Sequence, residues 1–290
     1  MSAAERRCWR NGFRPTAVSI VRRMGHVQVE RDGNVATVTL SNPGKKNAIP
    51  GVAWPVLEST FRELAIDPAV RCVVLTGDGD DFSSGADVGG GSADRVGGHG
   101  GDGDGEGPSL GFMRTVSRAV EALHAVPQPV VARVAGVCVG ASMNLALACD
   151  VVIASEDARF SEIFARRGLT IDGGGSWILP RVVGLLKAKE LALLADIIPA
   201  EEAERIGLVS RVVPRTELDA TVADVAGRLA AGPPLALSMT KRLLNQSAQV
   251  TLSQAVEAEA QAQTVNLGTR DTEEAMQAFV ERRPPRFEGR

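Results

Sequence analysis

An α/β fold that ends in an all-helical region is expected from three features of this 290-residue sequence. Short β-branched runs alternate with stretches of helical period. Turns of small residues separate them. From Thr216 onward only the helical pattern remains, interrupted at Gly232-Pro233-Pro234. A hydrophobic fraction of 44% and a charged fraction of 23% suit a globular enzyme that buries a real core, which excludes whole-chain disorder. Thirty-five acids against 32 basic residues give a net charge of −3 and no electrostatic footprint for nucleic acid or an anionic membrane.

Residues 27–30 and 35–40 alternate around Asp32-Gly33-Asn34 and predict a strand, a tight turn and a strand. Ser41 to Lys46 is a polar loop with Pro43 and Gly44. In 52–65, Val56, Leu57, Phe61 and Leu64 recur at helical spacing. The run 70–76 is a buried strand, followed by the small-residue turn Phe82-Ser83-Ser84-Gly85-Ala86-Asp87. An amphipathic helix is expected over 110–126, a strand over 129–134, a small-residue corner over 135–142, a short buried helix over 143–148 and a strand over 151–154. Asp172-Gly173-Gly174-Gly175-Ser176 opens a helix through Val182, and Gly184 opens the next. A short helix over 201–206 and a strand over 208–213 precede the helical region. The domain reading is an extension over 1–25 without fixed structure, a core over 26–213 and a helical region over 214–290.

The Arg-rich, acid-poor start has two readings, an organelle leader or an upstream start with folding beginning just after Met24. Residues 89–107 are a flexible insert of Gly, Asp and Ser. Its formal G-x-G-x-x-G over 98–103 lacks the strand and helix that a nucleotide site requires. Cys8, Cys72, Cys138 and Cys149 form no C-x-x-C pair and follow no secretory segment. They read as reduced thiols in a cytoplasmic protein with no metal framework. His26, His99 and His124 are assigned no chemistry. The most apolar stretch, 129–149, is broken by Arg133 and Asn144 and does not read as a membrane span.

Several spaced segments occur together: Ser41-Asn42-Pro43 with Asn47-Ala48-Ile49, then Val73-Val74-Leu75-Thr76-Gly77 and Phe82-Ser83-Ser84-Gly85-Ala86-Asp87. Pro129-Val130-Val131-Ala132 with 136–150, 168–175, and Leu179-Pro180-Arg181 complete the middle of the set. With 203–213 and the Ala278-Phe279 to Phe287 segment, this pattern resembles the enoyl-CoA hydratase/isomerase (crotonase) superfamily over roughly 27–289. The resemblance implies a spiral of ββα units with a helical C-terminal trimerisation region. It also implies an acyl-CoA thioester as substrate, with coenzyme A as part of that substrate and no separate cofactor, and a homotrimer or dimer of trimers.

By motif position, the resemblance makes the amides of Ala86 and Ala141 the two donors that stabilise a thioester enolate. Read alone, both are close-packed corners. The resemblance puts Ala86, Asp87, Val88, Gly89, Ala141, Asn144 and Phe164 against the substrate. It also puts Lys45 and Lys46 by the coenzyme A phosphates; the alternative is a solvated loop. Hydratases of this kind use two glutamates, and their positions here hold Asn144 and Phe164. An amide holds water but does not exchange a proton near neutral pH. Glu162 lies two residues out of register and is kept as an outside candidate. Asp172 is the acid in a motif position, and two readings of it stand: a proton carrier, or an N-cap that would lower its pKa. The expected activity is therefore double-bond isomerisation of an enoyl-CoA. Hydration, or acyl-CoA binding without turnover, is the alternative.

Overall fold

The computed structural model describes residues 20–87 and 110–290. Residues 1–19, the Gly-rich insert, Val88 and Gly89 lie outside the described residues. The chain runs β1 (Ile20–Met24), β2 (Val27–Asp32), β3 (Val35–Leu40), α1 (Ala53–Ile66), β4 (Cys72–Gly77), α2 (Leu110–His124), β5 (Val130–Val134) and β6 (Val137–Val139). It continues through α3 (Ala141–Leu147), β7 (Val151–Ser155), β8 (Arg159–Ser161), α4 (Gly175–Val183), α5 (Leu185–Leu194), β9 (Ile198–Pro199), α6 (Ala200–Arg205) and β10 (Arg211–Val213). Four helices close it: α7 (Leu218–Ala231), α8 (Pro234–Gln246), α9 (Leu252–Leu267) and α10 (Arg270–Glu281).

A seven-stranded sheet has the order β1-β2-β3-β4-β5-β7-β10. Strands β3 to β10 within it pair in parallel, while β1 and β2 add an antiparallel edge. The parallel strands are apolar on both faces because helices cover both. Val73 and Leu75 of β4, Val130, Ala132 and Val134 of β5, and Val152 and Ala154 of β7 face the larger core. The alternate residues Cys72, Val74, Val131 and Ile153 face a second core. Leu218, Val222, Ala226 and Ala230, four apart on α7, close that second core.

A smaller sheet, β6-β8-β9, stands beside the first. Isolated bridges Ile49↔Ala86 and Ser83↔Cys138 extend its line. Each turn of the chain thus supplies a long strand, a short strand or bridge, and a helix, which is the expected ββα spiral. The corners between long and short strands are where backbone amides are left unpaired.

Three sequence expectations are corrected. Folding begins before Met24, because β1 pairs with β2 from Ile20↔Arg31 to Met24↔Val27. The corner 135–142 contains a strand, β6. The strand expected over 208–213 is only Arg211–Val213, since Leu208 and Val209 turn back to hydrogen-bond the carbonyl of Ala203. Within the helical region expected over 214–290, α7 packs on the sheet. Beyond it α8 buries no residue, α9 only Ala262, and α10 only Asp271 and Ala278.

Candidate active site

The site begins at two corners held together. Ser142 Oγ donates to the carbonyls of Ser83 and Val139, both at 2.8 Å. This ties the 83–87 segment to the β6–α3 corner. Ile49 N donates to Gly85 O and Asp87 N donates to Ile49 O. In such a parallel bridge the Ala86 N–H points away from Ile49. It points to the side where Gly85 approaches the neighbouring corner: a Cβ on Gly85 would lie 2.9 Å from Val139 O and 3.9 Å from Ala141 N. Only glycine accepts this approach, and its φ of +93° is costly for any other residue. Ala141 opens α3, so its N–H has no partner one turn back. Neither the Ala86 nor the Ala141 amide donates to a carbonyl among the described residues.

Asn144 sits three residues after Ala141 and so shares its face of α3. It is fully buried. Its Nδ2 donates to the Asp172 backbone oxygen at 2.8 Å and reaches Glu162 Oε2 at 3.5 Å. Gly175 leaves the room: a Cβ there would stand 2.5 Å from Asn144 Nδ2. Glu162 is 1% exposed. It follows β8 and precedes a short 3-10 helix, Ile163–Arg167. Because the strand ends at Ser161 and the 3-10 turn starts at once, Glu162 and Phe164 are both turned inward. Phe164 packs its ring toward Gly140, beside the Ala141 corner.

Asp172 does not cap α4. Gly174 holds the N-cap position with φ +79°, and no side chain closes the helix end. Only the Asp172 main-chain oxygen is used locally, accepting from Gly175 N at 3.0 Å. The carboxyl moves opposite to a cap's: burial pushes its pKa up to about 6. Burial pushes the Glu162 carboxyl up to about 8, opposed by the Asn144 hydrogen bond and reinforced by Asp172. Asn144 Oδ1, Glu162 Oε1 and Asp172 Oδ1 are buried without a hydrogen-bond partner among the described residues. The structure therefore brings Asn144 together with Asp172 and with the outside candidate Glu162. The sequence signal for Glu162 was present, an acid two residues before Phe164, but the break between strand and 3-10 turn hid its direction.

The lysines stand apart from this cluster. Lys45 Nζ lies 2.7 Å from Asp87 Oδ2, and Lys46 Nζ lies 3.7 Å from Asp81 Oδ2. Both are more than half exposed or nearly so, and both are held by carboxylates of the adjoining loop. Beyond Gly174 opens a cavity of about 720 Å³ lined by Val120, His124, Trp177, Ile178 and Met239. His124 meets Trp177 edge-on at 5.5 Å, and burial lowers its pKa, so it stands there as a neutral packing residue. No three His, Cys, Asp or Glu residues among the described ones cluster as a metal-ligand set. No helix among them is long and apolar enough to cross a membrane.

Residues 30–290 match the family profile described as Enoyl-CoA hydratase/isomerase. The 1,2-epoxyphenylacetyl-CoA isomerase of Escherichia coli is 33% identical over 258 residues, covering 88% of this chain and 95% of that protein. The short-chain-enoyl-CoA hydratase of Clostridium acetobutylicum is 33% identical over 262 residues, covering 90% and 96%. The crystal structure of an enoyl-CoA hydratase from Bacillus anthracis superposes with a TM-score of 0.84 at 29% identity, over 91% of this chain and all of that one.

Proposed function

This chain belongs to the enoyl-CoA hydratase/isomerase family, and from that premise we propose that it moves a double bond along an enoyl-CoA through a thioester enolate. The thioester oxygen accepts from the Ala86 and Ala141 N–H groups, which are fixed before substrate arrives. Donors aimed at developing charge contribute about 3 kcal/mol apiece. The Asp172 carboxylate, ionised at neutral pH because its pKa lies at about 6, takes a proton from C2. That C–H bond breaks, an O–H bond forms on Asp172, and the electron pair enters the enolate. Asp172 then returns the proton at C4, and the double bond comes to rest between C2 and C3. Phe164 keeps the amide side dry, and the cavity beyond Gly174 takes the distal acyl chain.

One observation carries this reading. The two hydratase positions hold Asn144 and Phe164, neither of which exchanges a proton, while Asp172 presents a buried carboxyl oxygen with no hydrogen-bond partner among the described residues. Hydration is the second reading, supported by the name of the Clostridium acetobutylicum relative and by Glu162 as a second carboxyl beside Asn144. An assay of the purified protein on a 3-enoyl-CoA and on crotonyl-CoA separates the two. Double-bond shift with little hydration is expected; efficient hydration of crotonyl-CoA contradicts it.

We also propose a homotrimer. Leu186, Leu193, Phe279 and Val280 are more than 70% exposed, which a closed assembly of identical chains would relieve. Arg283 is paired within the chain, with Glu274 and Glu281. Light scattering should return a mass of three copies or a multiple; a stable monomer contradicts the assembly.

A further inference from the structure

The Asn144–Glu162–Asp172 cluster is short of donors. Three acceptor oxygens are buried there without a partner among the described residues. The Asn144 amide is the one side-chain donor seen at the cluster among the described residues, and its Nδ2 is already on the Asp172 main chain and Glu162 Oε2. Each unsatisfied buried acceptor costs about 1–3 kcal/mol. The titratable groups that face Glu162 are Asp172, from the turn before α4, and the Cys138 thiol of β6. Neither is a cation, and no ion pair to Glu162 is formed among the described residues. A carboxylate so placed would be a bare buried charge beside a second one. A carboxyl that keeps its proton instead supplies the missing donor.

We propose that Glu162 is a positioning residue of this cleft: in its protonated form it hydrogen-bonds the Asn144 side chain and, through it, steadies the Asp172 turn, so that Asp172 carries the only negative charge. This rests on Asp172 being the proton carrier. Glu162 itself lies behind Asn144, fully buried, whereas Asp172 is partly exposed. When Glu162 loses its proton, the donor vanishes and a like charge appears next to Asp172. Turnover then falls on the alkaline side, above about 8. The rise on the acid side, through about 6, belongs to Asp172.

Glu162→Gln keeps a donor but cannot titrate; Glu162→Leu keeps bulk without a donor. Both are compared with the unaltered protein for double-bond shift across pH. Glu162→Gln should lose about threefold at neutral pH and Glu162→Leu about thirtyfold in kcat, with KM little changed. The alkaline fall should disappear in Glu162→Gln. A fall that survives in Glu162→Gln, or a Leu variant no worse than the Gln variant, overturns the proposal. Thermal melting reads the same proton without any turnover. Between the ordinary carboxyl value of 4.5 and about 8, the folded chain holds a proton on Glu162 that the unfolded chain has released. Stability therefore falls as pH rises through that window. Glu162→Gln should show a smaller drop in Tm from the acid to the alkaline side; a parallel drop overturns the proposal. If the unaltered protein shifts no double bond, the reading of Asp172 fails while melting still decides the state of Glu162.

Discussion

On one side of the cleft stand the amides of Ala86 and Ala141; on the other stand Asn144, Glu162 and Asp172. The amide side is made of backbone and is locked by Ser142 across both corners and by the close approach of Gly85 to Val139. Nothing on it titrates, and its donors are fixed whatever the side chains at 86 and 141. The carboxyl side is made of side chains. It holds three acceptors without a partner among the described residues and two carboxyls with raised pKa values. A preorganised donor pair needs rigidity, while a proton carrier needs an environment that leaves its proton easily moved. The two sides meet at the β6–α3 corner, because Ala141 and Asn144 share one face of α3.

Breaking the carboxyl side should have the largest effect. Asp172→Asn should lower double-bond shift about 10²–10⁴-fold with an unchanged melting profile at acid pH; activity that survives returns Asp172 to a purely structural part. Next comes the amide side. Gly85→Ala forces a Cβ to within 2.9 Å of Val139 O at φ +93°, and displacing one donor should reduce kcat about 10²-fold. Denaturant unfolding would show a loss of stability as well. Smaller again is Gly175→Ala, whose Cβ would press on Asn144 Nδ2 at 2.5 Å; a drop of about tenfold in kcat is expected. The smallest effect is expected from Phe164→Leu, which thins the wall beside Gly140 and should cost about 1 kcal/mol in urea unfolding, with little change in the pH profile. A pH profile altered by Phe164→Leu would mean that the two sides are not independent.

The sequence showed one side of the cleft better than the other. The long strands were legible because runs such as Val130–Val134 are apolar on both faces. The amide side was legible through Gly85, Ala86 and Ala141, small residues at motif spacing. What stayed hidden was set by short elements. Strands β8 and β9 have three and two residues, too few to show a period. The direction of Glu162 depends on where β8 ends and the 3-10 turn begins. The capping alternative for Asp172 failed for a related reason: the turn goes through Gly173 and Gly174 at positive φ, which moves the helix start to Gly175. The partner of α7 was hidden as well. The four-residue spacing of Leu218, Val222, Ala226 and Ala230 marks a buried stripe, but only the second face of the sheet shows what it covers.

The central claim is that one carboxyl, Asp172, carries one proton from C2 to C4 against a fixed pair of amides. A 3-enoyl-CoA deuterated at C2, converted in ordinary water and stopped early, tests it by nuclear magnetic resonance of the product. A carboxyl with only part of its surface open to water should return part of the deuterium it has taken, so the product should carry label at C4. Product with solvent hydrogen alone at C4, from the first turnovers onward, would contradict a single carrier.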